Sequence, residues 1–284
     1  MNQIIACVDG SRVNDSVSAA AVWMASRIHA PLTFLHVLEH TDSAMNGDLS
    51  GTIGFDARED LLSELIDLDS QRAQLELQHG KLILEAVTRR AEGLGLEVSA
   101  IQRHGGLTET LIEYEPVARA VVIGRRGEAH EGFPSAIGSH IEHVLRTVQR
   151  PVFVVAENFQ EPQEFVLAFD GSQTAKKILD LVVRSPLLEG LTCHLVMIGN
   201  ADKERKASYD ASVEQLTLSG FSIVRAEFEL QGSVVETLVD YQRQKQIGLT
   251  IMGAYGHSRI RQFFVGSQTT GMLQRSLTPL LLLR

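Results

Sequence analysis

Residues 4–11 read "IIACVDGS" and residues 165–172 read "FVLAFDGS". Each is an apolar run that ends in Asp-Gly-Ser. The likeness continues in the same order along the chain. "LTFLHVL" at 32–38 matches "LTCHLVMI" at 191–198, and "GGLTETLIEY" at 105–114 matches "GSVVETLVDY" at 232–241. "VVIGRRG" at 121–127 matches "TIMGAYG" at 250–256, "IGS" at 137–139 matches "VGS" at 265–267, and "RPVFVV" at 150–155 matches "TPLLLL" at 278–283. Six blocks in one order make the chain two copies of one unit.

The spacing between equivalent blocks changes from 161, Asp9 to Asp170, to 127, Gly105 to Gly232. The first copy therefore carries about 34 extra residues between those blocks. This reading gives a first domain over 1–156 with a helical insert at about 41–75, a polar linker "ENFQEPQE" at 157–164, and a second domain over 165–284.

Within each copy, apolar runs alternate with helical patterns. In the second copy, strands are predicted near 165–169, 191–198, 222–229, 248–252 and 279–283. Helices are predicted near 173–184, 205–218, 233–243 and 266–275. The strands are continuously apolar, which suits a sheet covered on both faces. The expected class is α/β: two repeated doubly wound domains, each a five-stranded, mostly parallel sheet with helices on both faces. The first copy has the same plan, with a long second helix near 58–93 broken near Gly80.

Composition narrows the function classes. Of 284 residues, 44% are apolar and 21% charged, as in ordinary globular proteins. The net charge of -9 argues against a chain that grips nucleic acid or an anionic membrane by its overall field. Cys7 and Cys193 each lie in an apolar strand-like run and read as small buried hydrophobes, which suits a reducing cytoplasm. The N-terminus reads as a strand rather than a leader, and no run is long enough to span a membrane.

In open α/β sheets, ligands bind outside the carboxyl ends of the strands. Asp9, Asp170 and both glycine blocks fall at such ends. In the second block, Gly253 ends a strand while Gly266 and Ser267 open a helix. Glycine lets backbone N–H groups face a ligand, and a helix N-terminus adds free donors and a positive dipole end. That combination suits phosphate. The alternative is ordinary punctuation between a strand and a helix. Recurrence in both copies, with an aspartate after each first strand, favours the ligand reading. No G-x-x-x-x-G-K-[ST] loop occurs, and the dinucleotide fingerprint is absent from the first strand–helix turn.

These residues resemble the universal stress protein family. Its nucleotide-binding members carry Gly, two residues, Gly, nine residues, then Gly with Ser or Thr. Gly253, Gly256, Gly266 and Ser267 match without a gap, and Asp170 matches the early aspartate. The resemblance covers nearly the whole chain as a tandem pair. It implies ATP binding, with Asp170 near the ribose or an Mg²⁺ carried by the nucleotide. It implies the backbone near Val196 at the adenine, Met252 lining the pocket, and Gly253, Gly256, Gly266, Ser267 and Gln268 around the phosphates. The first copy keeps Asp9, Val37, Gly124, Gly127, Gly138 and Ser139. It has ten residues, not nine, between Gly127 and Gly138, which leaves open whether it holds a nucleotide. The resemblance also implies that the two domains pair through their last strands, 151–155 and 279–283.

The reading that follows is a cytoplasmic, ATP-binding stress-response regulator without a dedicated catalytic activity. Two alternatives stand beside it: a slow ATP hydrolase or phosphoryl-transfer enzyme, and a nucleotide-free scaffold for a protein partner. A homodimer is compatible with all three. Arg125, Arg126, Arg259 and Arg261 read as surface pairs rather than phosphate ligands. His140 and His143 read as solvated or capping residues, and His257 as a loop or ligand contact. The insert's acids and leucines suit an amphipathic helix that docks on the second domain or binds a partner helix, and packing within the chain is the preferred reading, because an exposed leucine stripe risks association.

Overall fold

The computed structural model describes residues 3–39, 55–125, 139–200, 202–230, 232–254 and 267–284. The first half contains β1 (Gln3–Cys7), α1 (Asn14–Ile28), β2 (Leu32–Leu38), α2 (Phe55–Glu92) and β3 (Val98–His104). It continues with α3 (Leu107–Tyr114), β4 (Ala118–Gly124), α4 (Ser139–Thr147) and β5 (Val152–Val155). The second half repeats the plan with β6 (Glu164–Phe169), α5 (Gln173–Val183), β7 (Thr192–Ile198), α6 (Lys203–Leu218) and β8 (Ser222–Phe228). It closes with α7 (Val234–Lys245), β9 (Leu249–Gly253), α8 (Ser267–Arg275) and β10 (Leu280–Leu283). A 3-10 turn, Pro186–Leu188, lies between α5 and β7.

Among the described residues, ten strands join one sheet in the order β3-β2-β1-β4-β5-β10-β9-β6-β7-β8. Each half is parallel throughout, as its strand–helix alternation requires. The seam is antiparallel, with Leu280 facing Val154, Leu281 facing Phe153 and Leu282 facing Val152. The two last strands thus cover each other's apolar edges, which would otherwise be exposed for association.

The sheet is buried on both faces. Phe34, Phe153, Phe165 and Leu195 belong to the core on one face, while Leu35, Val154, Val166 and Val196 belong to the core on the other. The first of these cores crosses the seam. Trp23 of α1 packs against Phe153 and Phe159, with ring centroids 6.0 and 5.9 Å apart. The Phe159 amide donates to Ser16 Oγ at 3.2 Å.

Helix α2 differs from its expected form in two ways. It runs unbroken through Gly80. A Cβ at Gly80 would lie 2.2 Å from Gln102 Nε2 and 2.5 Å from His36 Cδ2, so this glycine lets the helix lie close on β2 and β3. A missing side chain serves packing here, and the helix hydrogen bonds continue. Nor does the described part of the insert, residues 64–75, pack on the rest of the chain as expected. Residues 64–75 are exposed except for the half-buried Leu65, and α2 rests on β2, β3 and α1 through its later turns. No helix among the described residues is long and apolar enough to cross a membrane.

The thiols follow their strands. Cys193 is buried and Cys7 is half-buried, and both are free. Burial pushes the Cys7 thiol up to about 12, with the Asp9 charge adding to the effect. Burial also raises Cys193.

Candidate functional site

The carboxyl ends of β6, β7 and β9 meet beside the starts of α5 and α8. At the end of β6, Asp170 Oδ1 accepts from the Ser172 amide at 2.9 Å. Ser172 Oγ then caps α5 by accepting from the Ala175 amide at 3.0 Å. This aspartate–serine turn leaves Gly171 with φ +80°, a left-handed conformation that favours glycine. The same aspartate-to-serine bond occurs at the end of β1, where Asp9 Oδ1 accepts from the Ser11 amide at 3.0 Å, although α1 begins after Val13 without a side-chain cap. The repeated Asp-Gly-Ser is therefore a turn device in both halves, whatever else the aspartates do.

A residue that the motifs did not single out completes the second half's edge. Asp202 caps α6 through its Oδ1, which accepts from the Arg205 amide at 2.8 Å. The cap directs Arg205 back over the strand ends. Its guanidinium donates to the Ile198 carbonyl at 2.9 Å and to the Asn200 carbonyl at 3.4 Å. Its aliphatic stem lies against Gly171, where an added Cβ would come within 2.9 Å of Arg205 Cγ. Gly199, with φ +101°, passes beneath the same guanidinium. A fixed cation, two side-chain-free backbone positions and one carboxylate thus share this edge. That donor set fits an anion carrying a hydroxylated group, as in a nucleotide. Asp170 belongs to no metal-sized group of His, Cys, Asp or Glu among the described residues. Any Mg²⁺ there would draw its remaining ligands from phosphate and water.

The other predicted residues divide. Gly253 ends β9, and a Cβ there would come within 3.1 Å of Ile178 Cδ1, so it also serves the packing of α5. Met252 is buried among the apolar residues on the α7–α8 face. Ser267 opens α8, and Gln268 is exposed in its first turn. Gly256 and Gly266 lie outside the described residues, as do Gly127, Gly138, Arg126, His257, Arg259 and Arg261. Gly124 ends β4 opposite Val155, and Ser139 opens α4.

Val37 and Val196 are not equivalent. Val196 pairs with Ala168 just as Leu35 pairs with Cys7, and Val196 is buried in the sheet. By the same register, Val37 corresponds to Ile198, at the strand end. The similar letters of the two strands hid this two-residue offset.

The first half's edge is built differently. Glu39 corresponds by register to Asn200. Its carboxylate accepts from the Leu107 amide at the start of α3, 3.4 Å away, and pairs with His140 Nε2 in the first turn of α4, 3.1 Å away. His143, on the same helix, is exposed. A cleft of about 410 Å³ adjoins Asp9 and Gly10 but opens between α1 and α2, beside Asn14, His79 and Arg90. Val37 and Gly124 do not line it. Arg125 has a described contact away from its own loop. Its guanidinium donates to the Ser276 carbonyl at the end of α8, across the seam.

Sequence comparison finds the profile of the universal stress protein family matching residues 1–156 and 163–284. Universal stress protein Slr1230 of Synechocystis sp. (strain ATCC 27184 / PCC 6803 / Kazusa) is 32% identical over 290 residues, covering all of both chains. Among solved structures, a universal stress protein from Archaeoglobus fulgidus DSM 4304 superposes with a TM-score of 0.73 at 17% identity, covering 100% of this chain and 98% of that one. One from Pseudomonas aeruginosa UCBPP-PA14 superposes with a TM-score of 0.64 at 14% identity, covering 100% and 93%. These two likenesses establish the common fold.

Proposed function

The chain belongs to the universal stress protein family, and from that premise we propose that it binds ATP at the carboxyl edge of its second half and acts as a nucleotide-dependent stress-response regulator. The observation that carries this reading is the convergence of Asp170, Gly171, Gly199 and the Arg205 guanidinium at one sheet edge. In this reading Asp170 serves the ribose or an Mg²⁺ that arrives with the phosphates. The intact Gly253, Gly256, Gly266, Ser267 spacing carries the phosphates toward the start of α8. Arg205 supplies positive charge at the same edge. The first half is the weaker site, because the Glu39 carboxylate faces the openings of both α3 and α4. A bound phosphate there would meet a like charge.

A regulator needs binding to bias a conformation or a partner, and it needs no turnover. The test is native mass spectrometry of the purified chain with ATP, combined with titration calorimetry. About one ATP per chain is expected. Gly266→Glu should abolish binding, because it places a carboxylate in the phosphate seat. Arg205→Gln should weaken it roughly tenfold, about 1.4 kcal/mol. Full ATP occupancy in the Gly266→Glu chain would refute the placement. Saturable ATP turnover that is lost in Asp170→Ala would move the reading to a hydrolase.

A further inference from the structure

An antiparallel seam sets the two halves head to tail. Strand β4 runs with β5, and β9 runs with β10, while β5 and β10 oppose each other. The carboxyl ends of the first half's strands therefore lie beside the amino ends of the second half's, and the reverse. Helix α8 starts after β9, at the carboxyl edge of its own half, and ends before β10, at the amino edge. Its far end thus faces the edge of the first half where β4 and β5 end.

Arginines bridge this junction in both directions. Arg125 follows β4, and its amide donates to the Val155 carbonyl at the end of β5, 2.8 Å away. Its guanidinium donates to the Ser276 carbonyl. Arg284 follows β10, and its guanidinium donates to the Val148 carbonyl at 3.4 Å and to the Arg146 carbonyl. Ser276 and Val148 hold equivalent places. Each follows a nine-residue helix, α8 or α4. Each donates its amide to the carbonyl four residues back, Met272 at 2.9 Å or Val144 at 2.8 Å. Their own carbonyls fall among the last of a helix, which have no partner in the helix ladder. A cation there also meets the negative end of the helix dipole. Each half thus holds the far end of the helix that Ser139 or Ser267 opens in the other.

Helix α8 can carry such a restraint along its length. Met272 and Leu273 are fully buried. A Cβ at Gly271 would lie 2.8 Å from Val235 Cγ2, so the helix sits close on α7. A helix packed this tightly shifts as a unit. Arg275 also pairs with Glu236 of α7 at 2.6 Å, but within the same half. On the premise that ATP binds at the second half's edge, we propose that Arg125 is a positioning residue for that site, although it belongs to the first half. By holding the end of α8 it sets where the start of α8 meets the phosphates, and the first half thereby sets phosphate affinity in the second.

The test is titration calorimetry of the full chain with ATP, and with adenosine by competition, read on the site that Gly266→Glu removes. Arg125→Ala should weaken ATP roughly fivefold or more, the scale of coupling between sites. Adenosine binding should hold, because in this reading α8 serves only the phosphates. Arg125→Lys keeps a charge and a donor and should recover most of the affinity. Arg284→Ala removes the matching contact from α4 and should leave ATP affinity in the second half unchanged. A chain that binds no ATP overturns the site and this proposal together. A chain that binds ATP equally well with Arg125→Ala overturns this proposal alone. So does an equal loss in Arg125→Ala and Arg284→Ala, which would mean that the junction acts only through overall stability.

Discussion

At the scale of single residues, the site rests on side chains whose roles come from their surroundings. Asp170 and Asp9 each accept from the amide of the serine two residues on, and Asp170 shares its edge with Arg205, held across the strand ends. Arg205 was invisible to motif reading because it lies within a helical pattern. The available signal was the aspartate three residues before it, a helix-capping residue that aims the first turn back at the sheet. Arg125 reads as a surface charge in sequence, and in the fold its guanidinium also reaches the Ser276 carbonyl after α8. The thiols yield a pH prediction. Both are raised by burial, Cys7 to about 12. Below the unfolded thiol range both states are protonated and the chain keeps its full stability. As pH rises past about 9, the unfolded chain loses protons that the folded chain retains, and stability falls. Urea denaturation at pH 8 and pH 10 should show a loss of up to about 1.4 kcal/mol per pH unit for each thiol. Replacing both cysteines with alanine should flatten that slope, and an unchanged slope would count against this origin.

At the scale of elements, the helical patterns located α2 and the four described helices of the second half to within three residues, and the apolar runs located that half's strands. The reading failed where one glycine carried two meanings. In sequence, Gly80 looks like a helix break because glycine weakens helices. In the structure it is a contact surface for His36 and Gln102. The His36 ring bonds the Val8 carbonyl at 2.8 Å, and Gln102 donates to the Leu77 carbonyl at 3.3 Å. Gly80→Ala improves helix propensity by roughly 1 kcal/mol. It also drives a methyl into the side chains of His36 and Gln102, each held by its own backbone hydrogen bond, and overpacking costs about 1–3 kcal/mol. A net loss of stability is expected by chemical denaturation. A more stable Gly80→Ala chain would mean that α2 can lift off the sheet without cost.

At the scale of the whole molecule, the antiparallel β5–β10 seam turns two repeated domains into one continuous sheet. The contacts at the seam are large and apolar, and α1 also packs on the Pro186–Leu188 turn of the second half. The chain contains a single tryptophan, Trp23, which lies in the core that crosses this seam. Its fluorescence therefore reports on the junction. The halves should unfold together, so that the Trp23 transition coincides with loss of helical circular dichroism. A fluorescence change that precedes the dichroism change would show that the seam opens before either half melts.

The repeated blocks, their order and the period of their apolar residues were sufficient for the fold class and the duplication, and they point to the sheet edge at which the candidate site is proposed. Those features are local, or follow from the handedness of strand–helix–strand connections. Three things required the folded chain: the choice of Ile198 rather than Val196 for the strand end, the reach of Arg205 over Gly171, and the exposed leucines of α2. Each depends on which surfaces meet. A register offset of two residues leaves the letters of an apolar strand nearly unchanged. An arginine's target and a helix's uncovered face are set by neighbours that lie far away in the sequence.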